Sequence, residues 1–191
     1  MRTVAAVVAL VACVQAGLWA LARYDLSAPD VNGQLASVSY APFAGNVNPD
    51  AGGEARVEQI RSDLALLAPL TRSIRLYSST GGVELVPPIA NEYGLRVTVG
   101  AWIDKHAERN EREIKAAIDL AKHNSNVKSV IVGNETIYRA DQTVPELIKK
   151  IQRVKRATNV PVSTGEIWNV WLEHPELVSA VDYIAAHILP Y

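Results

Sequence analysis

Hydrophobic and polar positions change period along this chain in a repeating order. Residues 37–40 read as a short strand. Val57, Ile60, Leu64 and Leu67 then fall on one helical face. Residues 73–77 form a second strand, and residues 83–93 form a helix closed by Gly94, with Pro87 and Pro88 tolerated only in its first turn. Residues 96–102 give a third strand. Asn110 and Glu113 then fit an N-cap and its capping-box partner, ahead of Ile114, Ala117, Ile118 and Ala121 at helical spacing. The fourth strand spans 127–133, and Thr143 with Glu146 makes a second capping box before Leu147, Ile148, Ile151 and Val154. Residues 160–164 form the fifth strand, 172–181 a helix, and 183–188 the sixth strand.

Strands that alternate with helices at this spacing build parallel βαβ units. Two architectures fit, an open doubly wound sheet and a closed (β/α)8 TIM-type barrel. The first calls for a Gly-rich phosphate turn, and Thr80-Gly81-Gly82 lacks that pattern. The second places chemistry at the C-terminal ends of strands. Polar and aromatic residues gather there: Tyr40, Tyr77, Trp102 and Asp104, Asn134 and Glu135, Glu166 and Trp168, His187 and Tyr191. A barrel of this type needs eight strands and about 250 residues. The 191 residues here are therefore expected to hold an incomplete barrel of about six strands. Its unpaired edges are expected to make the chain alone poorly soluble or only partly folded.

The N-terminus breaks the alternation. Residues 4–22 carry no charge and are apolar apart from Gln15, a run of about 19 residues, enough to span ~30 Å of hydrocarbon. Arg2 precedes it, so the positive-inside rule sends the rest of the chain outward. Ala20-Leu21-Ala22 also fits a signal-peptidase site, so an uncleaved anchor and a removable signal both stand. Residues 1–35 read as this segment plus a polar linker, and residues 36–191 as the catalytic-type domain facing the periplasm or cell exterior.

Charge and cysteine content narrow the chemistry. Lys and Arg number 19 against 20 Asp and Glu, which gives no basic footprint for nucleic acid. Cys13 is the single cysteine and the four histidines are dispersed, so neither a disulfide framework nor a metal site is expected, and no cofactor motif is present. The basic run 149–156 alternates with apolar positions and reads as a solvated helix face.

The most informative string is Val130-Ile131-Val132-Gly133-Asn134-Glu135, an apolar strand that runs into an amide and a carboxyl. A Glu there is placed to protonate a leaving-group oxygen, and an adjacent Asn to hydrogen-bond a sugar hydroxyl. The same pair also suits a helix N-terminus, Asn134 capping and Glu135 favoured by the dipole. Trp102 and Trp168 at strand ends suit stacking on a pyranose ring or core packing, and Trp171 suits the core.

Together these residues resemble glycoside hydrolase family 17, which includes β-1,3-glucanases and β-1,3-glucan transglycosylases. The resemblance runs from Ser37 to Tyr191. It rests on Tyr40, on Ile74-Arg75-Leu76-Tyr77, on Gly133-Asn134-Glu135, on Val162-Ser163-Thr164 and on Pro190-Tyr191. It implies a retaining enzyme acting on β-1,3-linked glucan, with Glu135 as acid/base at the end of the fourth strand. Tyr40, Tyr77, Trp102, Asn134, Glu166, Trp168 and Tyr191 are the expected substrate contacts. The nucleophile is implied to be a Glu ending a seventh strand, beyond Tyr191, so this chain alone is expected to be inactive. A non-catalytic glucan-binding module or an inactive fragment of a membrane glucan-synthesising protein is the rival reading.

Overall fold

A computed structural model describes residues 2–23, 32–45 and 47–189, and the chain divides into two compact units after Asn32. In the first, helix α1 (Arg2–Leu21) has 20 residues and a mean hydropathy of 2.3, and none of its residues is buried. At about 1.5 Å per residue such a helix is ~30 Å long, enough in length and composition to cross a bilayer.

The second unit is one parallel sheet of six strands: β1 (Val38–Ser39), β2 (Ser73–Arg75), β3 (Arg96–Ala101), β4 (Val127–Asn134), β5 (Val162–Ile167) and β6 (Ala185–His187). Each strand pairs with the next in chain order, so the order never reverses. A doubly wound sheet requires a reversal, its topological switch point. Helices α2 (Val57–Leu67), α3 (Val86–Glu92), α4 (Ala107–His123), α5 (Val144–Ala157), α6 (Trp168–Glu173) and α7 (Pro175–Ala180) supply the crossovers. The architecture is an incomplete (β/α)8 barrel.

Local chemistry explains most boundaries. Thr143 and Glu146 form the expected capping box, and Leu147, Ile151 and Val154 on α5 are buried one turn apart. Pro87 and Pro88 lie in the first turn of α3, where a missing N–H costs nothing. One continuous helix is expected over 172–181, but the chain instead breaks at His174, and Pro175 starts α7. Proline cannot donate to the carbonyl four residues back, so a new helix begins with it.

The expected capping box at Asn110 and Glu113 is not one. Helix α4 already begins at Ala107, which leaves both side chains inside its body, 2% exposed. The Oδ1 of Asn110 accepts the N–H of Asp104 at 2.9 Å, and its Nδ2 donates to the Asp104 carbonyl at 2.8 Å. Glu113 accepts the N–H groups of Ser79 (2.9 Å) and Trp102 (3.0 Å), the Ser78 hydroxyl (2.7 Å) and the Thr80 hydroxyl. It thereby ties the loop after β2 to the end of β3. Two positions three apart share a helix face, so an inward-facing pair has the same spacing as a capping box.

Alternation along the strands separates two faces. Ile74, Val97, Val99, Val130, Val132 and Val162 pack with Ile60, Leu64, Ile114, Ala117, Leu147 and Ile151 in one core between sheet and helices. On the other face, Thr98 and Ser129 join their hydroxyls at 2.8 Å, and Arg75 and His187 meet from β2 and β6. These two strands are separated by three others in the sheet, so their contact requires the sheet to curl as a barrel wall does.

Candidate active site

A one-residue irregularity in β4 builds the site. Ile131 is in register with Ser163 and Asn134 with Gly165, so three steps on β4 match two on β5. The extra residue is a β-bulge, and Gly133 supplies the left-handed backbone there with φ of 85°. Without it, Asn134 would keep the helix-facing phase of Val130 and Val132. With it, Asn134 turns to the concave face, and Arg75 Nη2 donates to its Oδ1 at 2.8 Å.

Glu135 follows in a conformation rare for a residue with a side chain, φ of 54°. Its N–H donates to the Gly165 carbonyl at 2.6 Å, and its Oε1 lies 2.7 Å from Nδ1 of His187. The other ring nitrogen of His187 is 3.0 Å from Arg75 Nη1. A guanidinium offers only donors, so His187 accepts at Nε2, carries its proton on Nδ1 and donates it to Glu135. Residues from β2, β4 and β6 thus form one chain, Asn134–Arg75–His187–Glu135. Burial lowers the pKa of Arg75, opposed by Tyr77, Tyr183 and Glu135 around it, and the guanidinium stacks over the Tyr77 ring at 4.7 Å. A Cβ at Gly165 would lie 2.7 Å from Arg75 Nη2 and 3.1 Å from His187 Nε2, so only glycine leaves room for that pair.

A second cluster flanks the first. Arg139 stacks over the indole of Trp102 at 4.4 Å, donates to the Ile103 carbonyl at 2.9 Å and to Asp141 at 2.8 Å, and also bonds the Asn134 carbonyl. It joins the ends of β3 and β4 and covers one face of Trp102.

The expected site residues divide accordingly. Glu135, Asn134 and Tyr77 come together, and Trp102 stands beside them under Arg139. Trp168, at the start of α6, is 47% exposed, whereas Trp171 is 6% exposed and in the core. Tyr40 does not face the concave side. It belongs to the core, and its hydroxyl donates to Asp63 on α2 at 2.9 Å, with burial raising its pKa. Glu166, expected as a sugar-binding carboxylate, is fully buried. Gly165 faces the site, so its neighbour on the strand faces away. The Glu166 oxygens accept the N–H groups of Ile137 (2.8 Å) and Tyr138 (3.4 Å). Burial raises its pKa, and those two bonds oppose the rise. Tyr191 lies outside the described residues.

Arg139, His187 and Gly133 stand outside the expected site residues, as does Arg75, which carries only the resemblance. Arg139 has no signal, being a lone loop arginine whose partners come from elsewhere in the fold. His187 is at a strand end but is single. Gly133 inside an apolar strand is a usable sign of a bulge.

The comparisons with known proteins bear on this arrangement. Residues 37–191 match the model of the BtgE/BtgC glycoside hydrolase domain. The chain is 28% identical over 148 residues to a glucan endo-1,3-beta-glucosidase, btgC, of Emericella nidulans, covering 69% of this chain and 22% of that protein. It is 31% identical over 109 residues to a glucan 1,3-beta-glucosidase of Arthroderma benhamiae, covering 53% of this chain and 34% of that one. The fold is similar to an active-site mutant of Rhizomucor miehei beta-1,3-glucanosyltransferase in complex with laminaritriose. That match has a TM-score of 0.64 at 25% identity and covers 77% of this chain and 54% of the other. The chain spans 22% to 26% of the length of the btgC proteins of Aspergillus terreus and Aspergillus flavus. Because the matched span contains all six strands and every residue of the Asn134–Arg75–His187–Glu135 chain, this protein belongs to the BtgE/BtgC glycoside hydrolase domain family, a set of enzymes similar to glycoside hydrolase family 17.

Proposed function

We propose that this chain carries the acid/base half of a retaining glycosidase or transglycosylase site for β-1,3-linked glucan, with Glu135 as the proton donor and acceptor. The observation that carries the reading is the Asn134–Arg75–His187–Glu135 chain at the C-terminal ends of β2, β4 and β6, where barrel enzymes place their chemistry. Relatives named for 1,3-β-glucan support the substrate class.

In this reading Glu135 gives its proton to the glycosidic oxygen as the bond from that oxygen to C1 breaks. The resulting carboxylate then takes a proton from water or a sugar hydroxyl as the new C1–O bond forms. Water gives hydrolysis and a sugar gives transglycosylation. The side-chain Oδ1 of Asn134 is occupied by Arg75, which orients the Nδ2 hydrogens toward a sugar hydroxyl. Tyr77, Trp102 and Trp168 supply aromatic surface for the glucan, and Tyr191 is a further contact. Retention needs a second carboxylate about 5–5.5 Å from the first. Glu166 cannot supply it from beneath the β4–α5 turn, and the family resemblance assigns it to a seventh strand. The apolar helix α1 is read as a signal anchor or signal peptide that places the domain outside the cytoplasm.

The test is product analysis on laminarin-type β-1,3-glucan with the protein at its full native length and with Glu135→Gln. Activity that falls by about 100-fold or more in the variant fits a lost general acid. Binding of laminarin without turnover in the unmutated protein would favour a glucan-binding module instead.

A further inference from the structure

Glu166 is a fully buried carboxylate beside the site that faces away from it, and nothing in the acid/base reading uses it. Its hydrogen-bond partners come from the turn that follows β4. One oxygen accepts the Ile137 N–H at 2.8 Å and the other the Tyr138 N–H at 3.4 Å. One residue earlier on β5, the Gly165 carbonyl accepts the Glu135 N–H at 2.6 Å. Two consecutive residues of β5 therefore hold three backbone N–H groups of residues 135–138.

The segment they hold begins with a residue in a costly conformation. Glu135 has φ of 54°, in the left-handed region that residues with a Cβ avoid. Such a conformation persists where the surrounding structure over-determines it. Thr136, fully buried, donates to the Ile103 carbonyl at 3.3 Å and adds a further fastening from the loop after β3. A Glu is suited to this place because an ionised carboxylate presents two acceptor oxygens and no donor, one for each N–H. An amide would set an NH2 group against one of the two donors.

We propose that Glu166 is a positioning residue for Glu135: its buried carboxylate clamps the Ile137 and Tyr138 amides, and so fixes the left-handed turn that aims the Glu135 carboxyl at His187 and the scissile bond. The proposal rests on the reading of Glu135 as acid/base. Glu166 touches no substrate in this scheme, so its loss acts on proton transfer and leaves glucan binding alone.

The experiment uses the protein at full native length and the variants Glu166→Gln, Glu166→Asp and Glu135→Gln. Each is assayed on a reduced laminari-oligosaccharide and on an aryl laminaribioside with a 2,4-dinitrophenolate leaving group, which departs without a proton. For Glu166→Gln, kcat/KM on the oligosaccharide falls about 100-fold, the scale of a catalytic group displaced by ~1 Å. On the aryl glycoside, kcat/KM stays within about threefold of the unmutated protein, the pattern also expected of Glu135→Gln. Glu166→Asp, which keeps the charge and is shorter by one methylene, falls between and serves if the Gln variant does not fold. Equal losses on both substrates, or no loss on either, overturn the proposal. A crystal structure of either variant decides it independently of turnover. Glu135 leaves the left-handed region if Glu166 is the clamp, and an unchanged φ with the His187 contact intact overturns it. An unmutated protein inactive on both substrates would instead refute the glucanase reading, while the structure of the variant still judges the clamp.

Discussion

The Nδ1 of His187 lies 2.7 Å from Oε1 of Glu135, so the sixth strand of the sheet supplies a hydrogen bond to the residue just past the end of the fourth. Both side chains are largely shielded, at 18% and 27% exposure. A hydrogen bond to a carboxyl that gains negative charge as its proton leaves is worth about 1.5–3 kcal/mol, or roughly 10- to 100-fold in a rate that depends on it. His187→Ala is expected to lower kcat/KM on laminarin by that factor with a smaller change in KM. Steady-state kinetics at full native length checks this, and a variant as active as the unmutated protein would show that the bond is incidental.

Glu113 holds four donors from the loop after β2 and the end of β3. Truncating it leaves the N–H groups of Ser79 and Trp102 without acceptors in a buried place, at about 1–3 kcal/mol each. Glu113→Ala is expected to destabilise the domain by about 3 kcal/mol or more in denaturant titrations. A loss under about 1 kcal/mol would mean that water replaces the carboxylate.

Acid should loosen the contact between α4 and α5. Arg153, bonded to Glu111 at 2.5 and 2.8 Å, holds the pKa of Glu111 down to about 2 from 4.5, with Lys115 assisting. A folded-state pKa below the unfolded value means that the contribution is full above pH 4.5 and is lost as pH falls toward 2. Both side chains are 42% exposed, so solvent screening holds the pair to about 0.5–1 kcal/mol. Glu111→Gln is therefore expected to be slightly less stable at neutral pH and indistinguishable at pH 2 in thermal melts. A deficit of the same size at both values would assign the effect to something other than charge.

Helix α1 makes a prediction about location. Expressed with its N-terminus intact, the protein is expected in the membrane fraction, or in the medium or periplasm without residues 1–22 if the Ala20-Leu21-Ala22 site is cut. Fractionation with N-terminal sequencing distinguishes the two. A full-length, alkali-extractable cytoplasmic protein would refute both.

How far the sequence reveals all this depends on whether a signal is local. The strand–helix alternation is local, and with it came the strand count, the place of Glu135 at the end of β4 and the capping box at Thr143. The function of a carboxylate facing inward is not local. Glu113 has the spacing of a cap and Glu166 the strand-end position of a ligand, yet both bond backbone contributed from other elements. Tyr40 likewise stands at a strand end, where one step of the pleat decides whether a ring meets the concave face or the helices. The bulge makes that step at Asn134, and Gly133 is its only trace in the sequence. Arg139 carries none, since its value comes from the indole, carbonyls and carboxylate assembled around it.

The contact between Arg75 and His187 joins the second strand to the sixth, with three strands arched between them. It works as a bowstring. Slackening it flattens the arc, and flattening the arc breaks it, so the bend of the wall and the state of Glu135 vary together. A probe that reports the spacing of β2 and β6 would then also report whether the proton donor is held ready, with no substrate in the tube.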